Sequence, residues 1–160
     1  MPSVLQHRVR YHETDAQGFM FTSRYLELAD VALTEYFRIL DIPLDQAVEG
    51  GADPSVVRAN LQFMRPAKYD DLLDVEVRCT QVGRSSFHLD MHVSRTHQHL
   101  TTIHIVYVNV DIATEVAAPL PSAALTALSN CLAPSAGAGL EPCCSSSPGP
   151  PTNTRTAEAC

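Results

Sequence analysis

The sequence predicts an α+β domain in which a curved antiparallel sheet of about five strands wraps one long helix. Three observations predict it. A short alternating stretch, His7 to Tyr11, precedes a single long helical pattern. In that pattern Leu28, Ala29, Ala32, Leu33, Tyr36, Phe37 and Leu40 recur at spacings of three and four, which puts them on one helical face. Four segments with strand character then follow between residues 56 and 111, with no second long helical pattern between them.

Taken in order, His7 to Tyr11 reads as a half-buried strand. Asp15 to Gly18 reads as a turn in which Gly18 is free to take a positive φ. Thr22 or Ser23 is the expected N-cap of the helix. Asp41 to Pro54 carries Pro43, Gly50, Gly51 and Pro54 and reads as a loop with one short helical turn around Leu44 to Val48. Val56 to Met64 is the next strand, and Arg65-Pro66-Ala67 ends it, since proline donates nothing to a ladder.

Leu73, Val75, Val77 and Cys79 alternate with Asp74, Glu76, Arg78 and Thr80, and after a turn at Gly83 Phe87, Leu89, Met91 and Val93 alternate with His88, Asp90 and His92. Leu100 to Asp111 is the last strand. Pro119 and Pro121 then precede a short helix. From Asn130 the remaining 31 residues hold five prolines, three glycines, four serines and no aromatic residue. The expected organisation is therefore one domain over residues 1–128 and a disordered tail over residues 129–160.

Composition narrows the function. With 45% hydrophobic residues and ten aromatics, 160 residues can form one core. A formal net charge of -7 argues against general nucleic-acid binding, which needs a basic surface. No charged leader followed by an apolar run opens the chain, and no segment has the length to span a bilayer, so the expected location is cytoplasmic. Cys79 sits in a strand pattern and reads as a buried apolar residue. Cys131, Cys143, Cys144 and Cys160 have neither paired spacing nor nearby histidines, so no zinc site or disulfide framework is expected. His88 and His92 share a strand face, but without an accompanying carboxylate motif no metal is expected. No cofactor is expected either.

The chemistry concentrates where the first strand meets the helix. A helix N-terminus presents unpaired N–H groups and a partial positive charge that would polarise a docked carbonyl. A carboxylate just upstream, Asp15, could attack that carbonyl or activate water on it. Taken alone, such an aspartate more simply closes a turn. Glu13 is the neighbouring carboxylate, expected at most to support the site.

Tyr11, Thr14-Asp15, Gly18 and Tyr25, followed by Arg65-Pro66-Ala67, Asp70-Asp71-Leu72-Leu73 and Gly83-Arg84-Ser85-Ser86-Phe87, resemble the hot-dog-fold acyl-CoA thioesterases of the 4-hydroxybenzoyl-CoA thioesterase type, including their short bacterial branch. The motifs cover most of residues 5–121. The resemblance implies a hot-dog fold, Asp15 as the catalytic carboxylate and a polarising backbone N–H near Phe21-Thr22, with Thr22 in the catalytic set. It further implies substrate contacts from Gly18, Phe21 and Tyr25, and from Arg84 and Ser85 on the phosphates and pantetheine of CoA. Many relatives carry a Tyr-His pair where this chain has Phe21-Thr22.

The implied function is hydrolysis of an acyl-CoA or acyl-carrier-protein thioester. The alternative is a non-catalytic acyl-thioester binding module of the same fold. A hydratase reading is weaker, because the Asp-then-His pair of dehydratase relatives is missing. An exposed sheet edge is a liability that pairing removes, so the expected assembly is a homodimer or a homotetramer built from two dimers.

Overall fold

A computed structural model describes residues 3–42 and 52–132. Its elements are β1 (Leu5–Arg8), a 3-10 turn (Tyr11–Glu13), α1 (Thr22–Ile39), β2 (Ala52–Phe63), β3 (Leu72–Val82), β4 (Ser86–Arg95), β5 (Gln98–Asp111), β6 (Val116–Ala117) and α2 (Ser122–Asn130). The described strands form one curled antiparallel sheet in the order β1-β3-β4-β5-β2, and β6 adds a short pairing to β5. This is the expected α+β arrangement and the hot-dog fold, with six described strands instead of five and a second helix.

The helix packs as its spacing dictates. Tyr25, Leu28, Ala29, Ala32, Leu33, Tyr36 and Phe37 are all buried. They meet the inward-facing residues of the sheet, including Val75 and Val77 on β3, Leu89 and Met91 on β4, and Ile103 and Ile105 on β5. Aromatic rings join the layers, with Phe37 against Phe87 at 5.9 Å and Phe87 stacked on Tyr107 at 5.1 Å between centroids. Each such large side chain contributes about 1.5–3 kcal/mol by leaving water. Cys79 lies in this core as expected. Burial pushes its thiol up to about 11, which keeps it protonated and inert at neutral pH.

Several boundaries differ from expectation for identifiable reasons. The first strand lies at Leu5–Arg8, because at Tyr11 the chain already coils into the 3-10 turn. Phe21, not Thr22 or Ser23, occupies the N-cap position, with no side-chain cap; its N–H is bonded instead to the Glu13 carbonyl at 2.9 Å. Strand β2 starts at Ala52 and takes in Pro54, since an edge strand can leave a missing donor unpaired. The short turn expected at Leu44 to Val48 lies outside the described residues.

At the other end, α2 runs across the boundary expected at residue 128, and Leu132 pairs with Cys79. Residues 133–160, with Cys143, Cys144 and Cys160, also lie outside the described residues. No described helix is long and apolar enough to cross a membrane.

Candidate active site

The segment between the 3-10 turn and α1 folds back on itself as a tight hairpin. Asp15 N–H donates to the Phe19 carbonyl at 2.8 Å and Gly18 N–H to the Asp15 carbonyl at 2.9 Å, while Thr14 bridges to Met20. The hairpin closes because Gly18 takes φ +78, as expected for a residue without a Cβ. It is clamped to the chain beyond β2, since Met20 N–H donates to the Ala67 carbonyl at 2.9 Å and Phe19 bridges to Lys68.

This geometry fixes the Asp15 carboxylate. Its Oδ1 accepts the N–H groups of Gln17 at 2.8 Å and Phe19 at 3.1 Å, the Asx-turn pattern. Oδ2 has no partner among the described residues. The side chain thus closes the turn through one oxygen and keeps the other without a partner among the described residues.

Asp15, Thr22 and Tyr25 line one cavity of about 290 Å³, together with Phe63, Met64 and Arg65. Thr22 is the first residue of α1, and its N–H has no acceptor among the described residues, as the first turn of a helix requires. The Phe21 N–H is already taken by the Glu13 carbonyl, so of the two positions where a polarising donor is expected only Thr22 has an N–H without an acceptor among the described residues. Tyr25 is 2% exposed; its hydroxyl oxygen accepts the Ala67 N–H at 3.3 Å and its ring meets Phe63 edge-on at 5.1 Å. It is a wall of the cavity, held in place from two sides.

The other expected site residues are elsewhere. Gly18 shapes the hairpin and Phe21 is 45% exposed at the cap position; neither lines the cavity. Arg84 and Ser85 sit in the turn after β3. Their carbonyls accept the N–H groups of Leu120 at 2.9 Å and Asn109 at 2.8 Å. The eleven residues of β3 separate that turn from the Asp15 end of the sheet, on the order of 30 Å at the usual strand rise. One chain does not bring Arg84 to Asp15.

Glu13 is not beside Asp15 either. It is 8% exposed and lines a separate cavity with His7, Arg24 and Leu28. Phe63, Met64 and Arg65 were not singled out as site residues. The signal available was the apolar pair ending β2 just before the Pro66 break, at the height where the strand passes Tyr25. Among the described residues no group of three or more histidines, cysteines or carboxylates could hold a metal ion, and His88 and His92 form no such set.

A 1,4-dihydroxy-2-naphthoyl-CoA hydrolase from Synechococcus elongatus is 27% identical over 118 residues, covering 72% of this chain and 87% of that one. The acyl-CoA thioesterase YbgC of Haemophilus influenzae is 33% identical over 89 residues, 55% of this chain and 65% of that one. Among solved structures, an aspartate-to-asparagine variant of 4-hydroxybenzoyl CoA thioesterase complexed with 4-hydroxybenzoyl CoA superposes with a TM-score of 0.70 at 26% identity, over 79% of this chain and 96% of that one. The family model described as the thioesterase-like superfamily matches residues 9–128, from just after β1 into α2, and the chain belongs to that superfamily.

Proposed function

We propose that this chain hydrolyses an acyl-CoA thioester to the free acid and thiol at the Asp15 cavity. The observation that carries the reading is the division of labour at Asp15, whose Oδ1 is fixed by two backbone N–H groups, whose Oδ2 has no partner among the described residues, and which lines a cavity that also reaches the first residue of α1. The relatives are named as hydrolases or thioesterases of acyl-CoA compounds, which supports the same class of substrate.

In this mechanism the thioester carbonyl oxygen accepts the Thr22 N–H, and the N-terminal end of α1 stabilises the negative charge that grows there. As a general base, Asp15 Oδ2 takes a proton from water while the water oxygen bonds to the carbonyl carbon. Collapse of the tetrahedral species breaks the C–S bond, and the leaving thiolate recovers the proton from Asp15. As a nucleophile, Oδ2 instead forms a mixed anhydride with loss of thiolate, and water then releases the acid. Tyr25, Phe63 and Met64 give the acyl group apolar walls. Arg84 and Ser85 contact the carrier from a second copy of the chain, paired along the β2 edge.

The test is a hydrolysis screen over short-chain, long-chain and aromatic acyl-CoAs with the parent and the Asp15→Asn variant. Turnover of at least one acyl-CoA that collapses in the variant is expected. Binding of acyl-CoA without turnover by the folded parent would overturn the enzyme reading in favour of a binding module.

A further inference from the structure

Glu13 reaches the start of α1 through its main chain, while its side chain lies elsewhere. Its carbonyl accepts the Phe21 N–H at 2.9 Å, and this bond is one rung of a short ladder at the neck of the hairpin. Thr14 bridges to Met20 in the middle of that ladder, and the Asp15 N–H donates to the Phe19 carbonyl at 2.8 Å at its far end. Asp15 stands on one side of the ladder, and Thr22 follows the Glu13 rung on the other. That rung therefore governs how the Thr22 N–H is set against the Asp15 carboxylate. Phe21 is held at its other end too, since its carbonyl accepts the Arg24 N–H at 2.9 Å.

The side chain fixes the rung from behind. It is buried in a cavity of about 130 Å³, lined also by His7, Arg24, Glu27 and Leu28, that shares no lining residue with the Asp15 cavity. There Glu13 Oε2 stands 2.9 Å from His7 Nε2 and accepts the Arg10 N–H at 2.7 Å. His7 belongs to β1 and pairs with Leu73 on β3, so the contact ties the neck of the hairpin to the sheet. Arg10 opens the 3-10 turn, so the same oxygen also fixes the backbone that leads into Glu13. A chain of bonds thus runs from the sheet through His7, the Glu13 side chain and the Glu13 carbonyl to Phe21, and only its next residue, Thr22, reaches the Asp15 cavity.

Resting on the hydrolase reading above, we propose that Glu13 is a positioning residue for thioester hydrolysis: its carbonyl, held in place by His7 and Arg10, occupies the Phe21 N–H and aims the Thr22 N–H at the thioester oxygen within reach of Asp15. Glu13 touches no substrate and moves no proton. Its effect is geometric, because a polarising donor acts only where the negative charge grows, and a misplacement on the order of 1 Å can cost about a hundredfold in rate. A carboxylate that only stabilised the fold would, when replaced, loosen the whole hairpin and leave the turnover of the folded chain unchanged.

The test uses the full chain with Glu13→Ala and with Glu13→Gln, which keeps an oxygen acceptor of the same reach, each studied below its melting transition. Two readings are taken: steady-state kinetics on acyl-CoA, and amide hydrogen exchange resolved by NMR at Phe21, Gly18 and Met20. The last two are internal references, because their N–H groups donate to the Asp15 and Ala67 carbonyls and not to Glu13. In Glu13→Ala, kcat is expected to fall about tenfold with KM within about twofold of the parent, the pattern of an interaction made in the transition state. Phe21 exchange is expected to quicken about tenfold relative to both references. Glu13→Gln is expected to recover most of both losses, leaving about a threefold change in each, and it decides alone where Glu13→Ala does not fold. Parental kcat in the folded variant, or equal acceleration of all three amides, overturns the positioning role in a chain that still hydrolyses its substrate. A parent that turns over no acyl-CoA is the distinct outcome that sinks the hydrolase reading and the positioning role with it.

Discussion

His7 Nε2 and Glu13 Oε2 stand 2.9 Å apart, and that same Glu13 oxygen accepts the Arg10 N–H at 2.7 Å. Burial pushes the Glu13 carboxyl up, but the Arg10 N–H, the His7 hydrogen bond and the charges of His7 and His12 outweigh it and hold the group below its ordinary 4.5. Because the Glu13 carbonyl also takes the Phe21 N–H at 2.9 Å, this hydrogen-bonded contact anchors the hairpin that carries Asp15 and the start of α1.

Glu13→Gln is accordingly expected to cost about 1–3 kcal/mol at neutral pH, the range for a buried hydrogen-bonded charge losing its complement. The unfolded chain binds the proton more readily, so the Glu13 contribution is complete above the unfolded value near 4.5 and fades as pH falls through the lower folded value. Urea unfolding over an acid series checks this. The variant should lose less further stability below 4.5 than the parent does. Parallel profiles would remove Glu13 from the account.

Asp15→Asn keeps the two N–H acceptances at Oδ1 and removes the basic oxygen. Turnover is expected to fall about a hundredfold or more, the scale of a lost general base, with a much smaller change in KM. Steady-state kinetics on the best acyl-CoA reads this directly. A folded variant within a few-fold of the parent would make Asp15 a turn residue only.

His92, half-buried on β4, lies 5.4 Å from the His99 ring between centroids. Burial, then the charges of His99 and Arg78, hold His92 below its ordinary 6.5 against the opposite pull of Asp90 and Glu76. Its neutral form is therefore the native one. The stability it contributes is full above the unfolded value of 6.5 and is lost as pH falls through the lower folded value. His92→Gln should flatten the drop in melting temperature between about pH 7.5 and about pH 5.5, and an unchanged drop would assign it to other groups.

The long helix and the strands β3 to β5 were legible because each buries one face, so the period of the pattern is forced by burial. The start of β2 at Ala52 is not legible in the sequence, because an edge strand exposed on both faces carries no alternation, as Val56 and Val57 show at 54% and 59% exposure. That Asp15 and Thr22 face one cavity is legible because they lie seven residues apart and the local turn brings them together. Phe63, Met64 and Arg65 reach the same cavity only through long-range pairing. Arg84 was rightly placed in a turn, but a sequence does not show that the turn lies at the far end of the sheet from Asp15.

That separation yields the last prediction. Strand β2 has twelve residues and among the described residues pairs only with β5, with its outer edge unpaired there, and Val56, Val57, Phe63 and Met64 are each about half exposed or more. A second copy pairing antiparallel along this edge about a two-fold axis would set the Phe63 end of one β2 beside the Ala52 end of the other. The Phe63 end lines the Asp15 cavity; at the opposite end Pro54 pairs with Asn109, whose N–H bonds Ser85 beside Arg84. The pairing would thus bring Asp15 of one copy to Arg84 of the other. Light scattering should give a dimer or a larger even assembly. Asp15→Asn and Arg84→Ala chains, unfolded together and refolded as a mixture, should then regain about a quarter of the parent's sites, because half the dimers are mixed and each mixed dimer holds one site with both residues intact. The measurable sign is a kinetic component with the parental KM, absent from either variant alone. Its absence from a mixture shown to contain mixed dimers would mean that Arg84 does not serve the partner's cavity.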